Sequence, residues 1–530
     1  MRAADERRAR DGLRAAWRAA GVYPDFTVGQ AIVAGGVAHS SDRLVFARVD
    51  GDTTAVTLAD LLERAETYAQ RLAGAGVRAG DTVVVQTPAD LSGTEALTAV
   101  WLLGAVVVPM ATTATAGEVD HAVRQTSAAW AVVAPEWRGR DLVTPLVTEA
   151  DSLGHRRVVV LGHEAVDGAT ALGTIEPVPV PGGHRPHPSS VACVLYTSGS
   201  TAEPKGVQHS HETLLCGLTA VPVEASTRML GTFPAGHVAA LLALLRPLTA
   251  GGTTVMMDRW SARAAAALIE EHRITASAGT PFFLSTLLDE AERSGRDISS
   301  LERFLCGAAA VPPELVARSE AAGIVTWRTY GSTEHPAISS GGPADSPDKR
   351  RHTDGRVTPG NEVRLLDEAG VDVAPGEEGE IVARGPKQFL GYQDRAADAD
   401  AFVQATWFRT GDLGRFDTDG YLVVTDRVKD IIIRGGENIS AREVEEVLSR
   451  LPGLAELAVC AAPDEVWGEA VCAVVVPRDG WTAPTVQELH EVASSAGLAE
   501  HKVPTKIVVT EALPRTAAGK VRKRDLRSLY

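Results

Sequence analysis

Apolar and polar positions alternate along this chain with two periods, and the period changes partway. Over residues 57–76 the apolar side chains Leu58, Leu61, Leu62, Ala65 and Leu72 fall on one helical stripe. Thr57 and Asp60 fit a capping box at its start, and Gly74 and Gly76 are expected to stop it. TVVVQT (82–87) predicts a strand, residues 92–104 a helix, and AVVVPM (105–110) a second strand. Further β-branched runs lie at WAVVA (130–134), RVVVLG (157–162) and VACVLYT (191–197). Strands that are apolar throughout and alternate with helices predict parallel sheets covered on both faces. VPVPGGHRPHPSS (178–190) reads as a surface connector.

From about residue 360 the pattern shortens. NEVRLLDEAG, EEGEIVARG and GRFDTDGYLVVTD predict antiparallel strands joined by Gly and Asp turns. The last hundred residues read as an α+β unit. KDIIIR is a strand, a Gly-Gly loop follows, and Ser440 and Glu443 cap a helix running to Arg450. Strands near 456–462 and 470–476, a helix near 485–495 and a strand near 506–510 complete it.

A length of 530 residues allows about three or four structural units at ~100–200 residues each. With 45% hydrophobic and 23% charged residues, wholesale disorder is excluded. The net charge of −16 argues against a nucleic-acid surface spread over the molecule. Five cysteines without a CxxC pair form neither a disulfide framework nor a zinc pattern, which fits reduced thiols in a cytoplasmic protein. His209 and His211 have H-x-H spacing but no evident third ligand, so no metal site is read there. The charged start MRAADERRAR lacks the apolar stretch of a signal peptide, and the longest apolar run, Leu97 to Met110, falls short of a membrane span.

The most informative segment is YTSGSTAEPKGV (196–207). An apolar strand ends in a loop whose backbone N–H groups, hydroxyls and Lys205 ammonium suit polyphosphate oxygens, without the G-x-x-x-x-G-K-[ST] spacing of a Walker loop. This loop resembles the YTSGTTGxPKGV signature of adenylate-forming enzymes: acyl-CoA synthetases, aryl-acid ligases, peptide-synthetase adenylation domains and firefly-type luciferases. TYGSTE (329–334), GEIVARGPKQFLGY (379–392), WFRTGDLGRFDTDGYL (407–422), DRVKDIIIRGGENISAREVE (426–445) and LPRTAAGKVRKRDLR (513–527) match the same family in its order.

The resemblance implies an α/β fold. A large N-terminal domain (1–427) would carry stacked mixed and parallel sheets with helices and a small β-barrel-like part. A small mobile α+β domain (428–530) would swing about a hinge at Lys429. It also implies that a carboxylate reacts with ATP to give an acyl-adenylate and pyrophosphate, after which a thiol takes the acyl group. Thr197, Ser198, Gly199, Ser200, Thr201 and Lys205 would hold the phosphates. Tyr330, next to Gly331, would stack on adenine beside Gly307, Ala308 and Ala309. Thr333 would bond the α-phosphate and Glu334 would hold Mg²⁺, a hard cation that prefers oxygen ligands. Asp412 and Arg427 would bind ribose, and Lys520 would bridge the acid and the α-phosphate. Gly435 and Gly436 would line a pantetheine tunnel after the swing. Read without the family, Glu334 is a helix cap, Asp412 a turn residue and Lys520 a solvated tail cation.

The acid pocket implied by the resemblance is lined by FPAGHVAALLAL (233–244), AGTPFF (278–283) and CGAAA (306–310). Its named residues are His237, Val238, Ala239, Thr280 and Pro281. No Asp or Glu lies between Phe233 and Leu244, which argues against an α-amino acid. An alicyclic, polycyclic or medium-length aliphatic acid fits an apolar pocket better. His237 reads equally as a pocket wall and as a packed core histidine. Coenzyme A is the favoured acceptor. Ala441 stands where many CoA ligases carry Pro and keeps a carrier protein open as acceptor. Ser200, Ala202 and Glu203 depart from the family loop and raise an alternative. In it, adenylation is lost and a partner ligase supplies the adenylate. A nucleotide-binding protein without turnover is a further alternative. A luciferase-like oxygenase is disfavoured, because Ile433 occupies the position of its second C-terminal-domain lysine.

Overall fold

The computed structural model describes all residues except 1, 154–156, 165, 181–185, 198–203, 219–225, 234–235, 517–518, 527–528 and 530. The first predicted helix forms at Leu58–Ala75, with the Thr57–Asp60 capping box in place and Gly76 as its left-handed cap. Gly74 does not stop it. It lies inside the helix, where the Glu176 carbonyl passes so close that a Cβ would stand 2.2 Å from the oxygen, which is why this position is glycine. Leu58, Leu61, Ala65 and Leu72 are buried as the stripe requires.

Two sheets form the large part. In one, the strands Val325–Tyr330, Arg303–Gly307, Ala276–Gly279, Arg228–Gly231, Thr253–Met257 and Arg43–Ala47 run parallel, with short antiparallel strands at both edges. In the other, Val191–Thr197, Val106–Met110, Thr82–Gln86, Trp130–Val133 and Arg157–Val160 run parallel beside the antiparallel strand Lys205–Ser210. One apolar core joins the facing sides of both sheets through the helices Val28–Ala38, Leu58–Ala75, Leu91–Leu102, His211–Leu218 and Val238–Ala250. Separate cores lie under the outer helices of each sheet. The result is helix–sheet–helix–sheet–helix layering, in which fully apolar strands are covered on both faces.

The strands Glu362–Leu366, Gly379–Arg384, Phe402–Val403, Trp407–Phe416 and Leu422–Arg427 make the antiparallel sheet expected after residue 360. A one-turn helix, Val428–Asp430, connects it to the C-terminal α+β unit. There Ile432–Arg434, Glu437–Ile439, Leu454–Asp464, Gly468–Pro477 and Lys506–Val509 form a second small sheet against the helices Ala441–Leu448 and Val486–Ser495. Ser440 caps the first of these by accepting from the Glu443 N–H. The Glu443 carboxylate turns instead to Lys502, so the expected cap is half made.

The N-terminal helix Arg2–Ala19 is not foreshadowed by an apolar stripe. Its deeply buried positions are Arg10 and Arg14.

Candidate active site

Parallel strands of both kinds end at a cleft of about 2340 Å³ between the large part and the C-terminal unit. The C-terminal ends of parallel strands are where open α/β sheets place ligands. After the strand Val325–Tyr330 the chain makes a tight turn. Ser332 N–H donates to the His335 carbonyl at 3.1 Å, and the Ser332 hydroxyl accepts from His335 N–H at 3.2 Å. Three groups fix this turn from behind. His209 Nε2 donates to the Thr333 carbonyl at 2.7 Å, Phe389 N–H to the Glu334 carbonyl at 2.8 Å, and Lys387 Nζ to the Ala337 carbonyl at 3.0 Å. Burial lowers His209 to about 4, so its ring stays neutral and serves as a fixed donor. Burial likewise lowers the Lys387 amine to about 8.

The Glu334 carboxylate faces the same cleft, and its Oε1 accepts from the Tyr392 hydroxyl at 2.8 Å. Burial, and then Glu334 itself, push the Tyr392 phenol well up, so it remains a donor. Lys205 Nζ stands 5.1 Å from the centre of the same ring. One tyrosine thus touches both the end of the phosphate-type loop and the acidic residue of TYGSTE. Among the described residues no group of three or more His, Cys, Asp or Glu could cage a metal ion. A single carboxylate fits Mg²⁺ arriving with a polyphosphate and its own waters rather than a resident metal.

On the other wall, Asp412 and Arg427 pair across antiparallel strands, with the guanidinium 3.0 Å from the carboxylate. The Tyr330 hydroxyl donates to Asp412 at 2.7 Å. Burial is the largest influence on Arg427 and acts downward, but Asp412 and its other neighbours outweigh it, so Arg427 is raised and stays charged. Gly307, Ala308 and Ala309 line the cleft, and Ala308 takes a left-handed φ of 64° that an alanine adopts only under strain.

Lys520 enters from the C-terminal unit. Its loop is fastened by Arg515 over the Phe282 ring at 4.6 Å, and by Gly519, whose Cα faces Phe282, Phe283 and Thr280. Burial and then Arg427 lower the Lys520 amine to about 8. Beside it His237 caps the helix Val238–Ala250 by accepting from the Ala239 N–H through Nδ1, and stacks on Phe233 at 5.2 Å. Burial, then the Lys520 charge, lower His237 to about 4. His237 is therefore both a packed residue and a pocket wall. Ala239, Thr280, Pro281 and Phe282 line the pocket with it. Val238 borders the cleft too, yet at 6% exposure most of its side chain belongs to the core between the sheets.

The structure thus gathers Thr197, Lys205, Tyr330, Gly331, Thr333, Glu334, Asp412, Arg427, Lys429 and Lys520 around one cleft. It keeps Gly435 and Gly436 out of it. Both are exposed, with Gly435 packed under Trp467. Ser198, Gly199, Ser200, Thr201, Ala202 and Glu203 lie outside the described residues, as does Ala235. Sequence reasoning passed over Tyr392, Lys387 and the arginines of the first helix, and weighed His209 only as a metal ligand. Of these, Lys387 and Tyr392 carried a signal, since both lie in the quoted GEIVARGPKQFLGY stretch.

The cleft thus sets a carboxylate–guanidinium pair, a lone carboxylate and a lysine beside an apolar pocket, an arrangement suited to nucleotide-dependent activation of an acid. Comparison with known proteins agrees. Residues 36–393 match the family "AMP-binding enzyme" and residues 443–520 the "AMP-binding enzyme C-terminal domain". A medium-chain fatty-acid–CoA ligase of Escherichia coli is 32% identical over 498 residues, covering 90% of this chain and 86% of that one. A feruloyl-CoA synthase of Amycolatopsis is 34% identical over 488 residues, covering 90% and 94%. Among solved structures, the o-succinylbenzoate CoA synthetase of Bacillus subtilis with its acyl-adenylate superposes with TM-score 0.80 at 25% identity, covering 95% and 98%. The chain belongs to the AMP-binding enzyme family, within the adenylate-forming superfamily.

Proposed function

We propose that this acyl-CoA synthetase activates an apolar carboxylic acid, of the medium-chain aliphatic or aryl-propenoic size, and passes the acyl group to coenzyme A in the cytoplasm. The supporting observation is the pocket beside Lys520. Phe233, His237, Ala239, Pro281 and Phe282 line it, and the Val238–Ala250 helix that forms its wall carries no carboxylate to pair with an α-ammonium. Relatives named for medium-chain fatty acids and for ferulate support the same class.

The barrier to the first step is bringing a carboxylate against an anionic α-phosphate. Lys520 bridges the two, and the neutral His237 adds no charge to attract a second carboxylate. Thr333 donates to the α-phosphate from a turn held by His209, Phe389 and Lys387, so little reorganisation accompanies the step. Asp412 and Arg427 hold the ribose, Tyr330 the adenine, and residues 197–205 the β- and γ-phosphates. Glu334 would hold Mg²⁺ arriving with ATP, and that cation would offset phosphate charge.

Residues 1–427 and 428–530 then act as two bodies about Lys429, which sits exposed on the Val428–Asp430 turn. Lys520 inside the cleft and Gly435–Gly436 outside it correspond to the adenylating arrangement. The swing exchanges them and opens a path for the thiol. A panel of octanoate, cinnamates, bulky alicyclic acids and α-amino acids, assayed by hydroxamate trapping with Mg·ATP, tests the acid class. Activity confined to α-amino acids would overturn it.

A further inference from the structure

The helix Arg2–Ala19 lies outside the residues that match either family domain. It nevertheless reaches the back of the active site. Burying two arginines costs desolvation, and burial does lower both guanidinium groups. Both find backbone or carboxylate partners on one segment. Arg14 donates to the Phe389 carbonyl at 2.9 Å, and Phe389 N–H holds the Glu334 carbonyl from its other side. Arg10 lies over the Phe402 ring at 4.1 Å and donates to Asp398 Oδ2 at 3.2 Å. Asp398 Oδ1 in turn accepts from the Tyr392 N–H at 2.8 Å, and the Tyr392 hydroxyl donates to Glu334. Phe389, Phe402, Phe408 and Tyr392 pack as one aromatic cluster, which ties both ends of this segment to the same core. Arg18 ties the same helix to Glu212 in a two-toothed pair. Two routes therefore run from the first helix to Glu334, one through Phe389 to its backbone carbonyl and one through Asp398 and Tyr392 to its carboxylate.

We infer that the N-terminal helix is a positioning element of the active site. Through Arg10 and Arg14 it sets the 389–398 segment, and through Tyr392 it sets the Glu334 carboxylate that receives Mg²⁺ with ATP. The inference rests on the reading of Glu334 as the metal-holding residue. Partners that orient a metal ligand commonly change metal affinity about 10- to 100-fold when removed, and residues one bond further out change it less.

The test is calorimetric. The affinity of the full-length protein for Mg·ATP is divided by its affinity for ATP in EDTA, which isolates the contribution of the metal from folding and from nucleotide contacts. Tyr392→Phe is expected to lower this ratio about 10-fold, and Arg14→Met and Arg10→Met about 3-fold each. Adding Arg10→Met to Tyr392→Phe should lower it no further, because the two act in series through Asp398, whereas adding Arg14→Met, which acts through Phe389, should lower it again. Arg7→Met, on the exposed side of the same helix, should leave it unchanged. Arg14→Lys gives the same reading with a smaller fall if Arg14→Met does not fold. If Glu334→Gln lowers the ratio while the arginine variants leave it unchanged, the helix is only structural and the inference is overturned. If Glu334→Gln itself has no effect, the reading of Glu334 has failed and the inference with it.

Discussion

On the proposed swing about Lys429, Gly519→Ala should separate the two half-reactions, because its contacts are made with Lys520 in the cleft. Gly519 has φ +81°, and a Cβ there would lie 2.8 Å from Phe282 Cδ1 and 3.3 Å from both Phe283 Cε1 and Thr280 Oγ1. The backbone strain of a left-handed alanine, about 1 kcal/mol, is local and is present wherever the loop sits, so it cancels between arrangements. The clash does not cancel, because all three neighbours belong to the large part and are met only when Lys520 is docked. Overpacking of this kind costs about 1–3 kcal/mol, hence a roughly 5- to 150-fold slower adenylation. Thioester formation from a supplied acyl-adenylate and coenzyme A should be unchanged. Hydroxamate trapping reads the first half-reaction and single-turnover mass spectrometry the second. Equal losses in both, or no loss in the first, would refute the argument that Gly519 docks Lys520 for adenylation alone.

Lys520→Ala should slow adenylation about 10²- to 10³-fold, the cost of removing one preorganised donor to a developing charge, with thioester formation from the adenylate retained. The Lys520 amine, lowered to about 8 by burial and Arg427, is charged below that value and neutral above it. The kcat/KM for ATP should therefore fall above about pH 8, and Lys520→Arg should move the break upward if the pH profile reports this group. Asp412→Asn leaves Arg427 without its charged partner and the ribose without a carboxylate. The KM for ATP, read from initial rates, should rise about 10- to 100-fold.

Much of the fold was legible because its strands are apolar on both faces and its helix ends carry caps with a local mechanism. Thr57–Asp60 and Gly76 are decided by their own neighbours. Gly74 is not, since it is required by the close approach of Glu176, a hundred residues away, and not by a helix end. The first helix escaped for a related reason. Periodicity detects buried apolar side chains, and this helix buries Arg10 and Arg14, whose partners at Asp398 and Phe389 are remote in sequence. In the site, motif order placed Glu334, Asp412 and Lys520 at one cleft. The bonds from Tyr392 to Glu334 and from Tyr330 to Asp412 join separate motifs, and no single segment announces them.

The central claim is that one chain performs both half-reactions on an apolar acid. The most direct measurement incubates the full-length protein with Mg·ATP, the acid panel and coenzyme A, and follows acyl-CoA and AMP together by mass spectrometry. The account predicts equimolar acyl-CoA and AMP from at least one apolar acid, and hydroxamate from the same acid when hydroxylamine replaces coenzyme A. Thioester formed only when acyl-adenylate is supplied, with no AMP released from ATP by any acid, would contradict it.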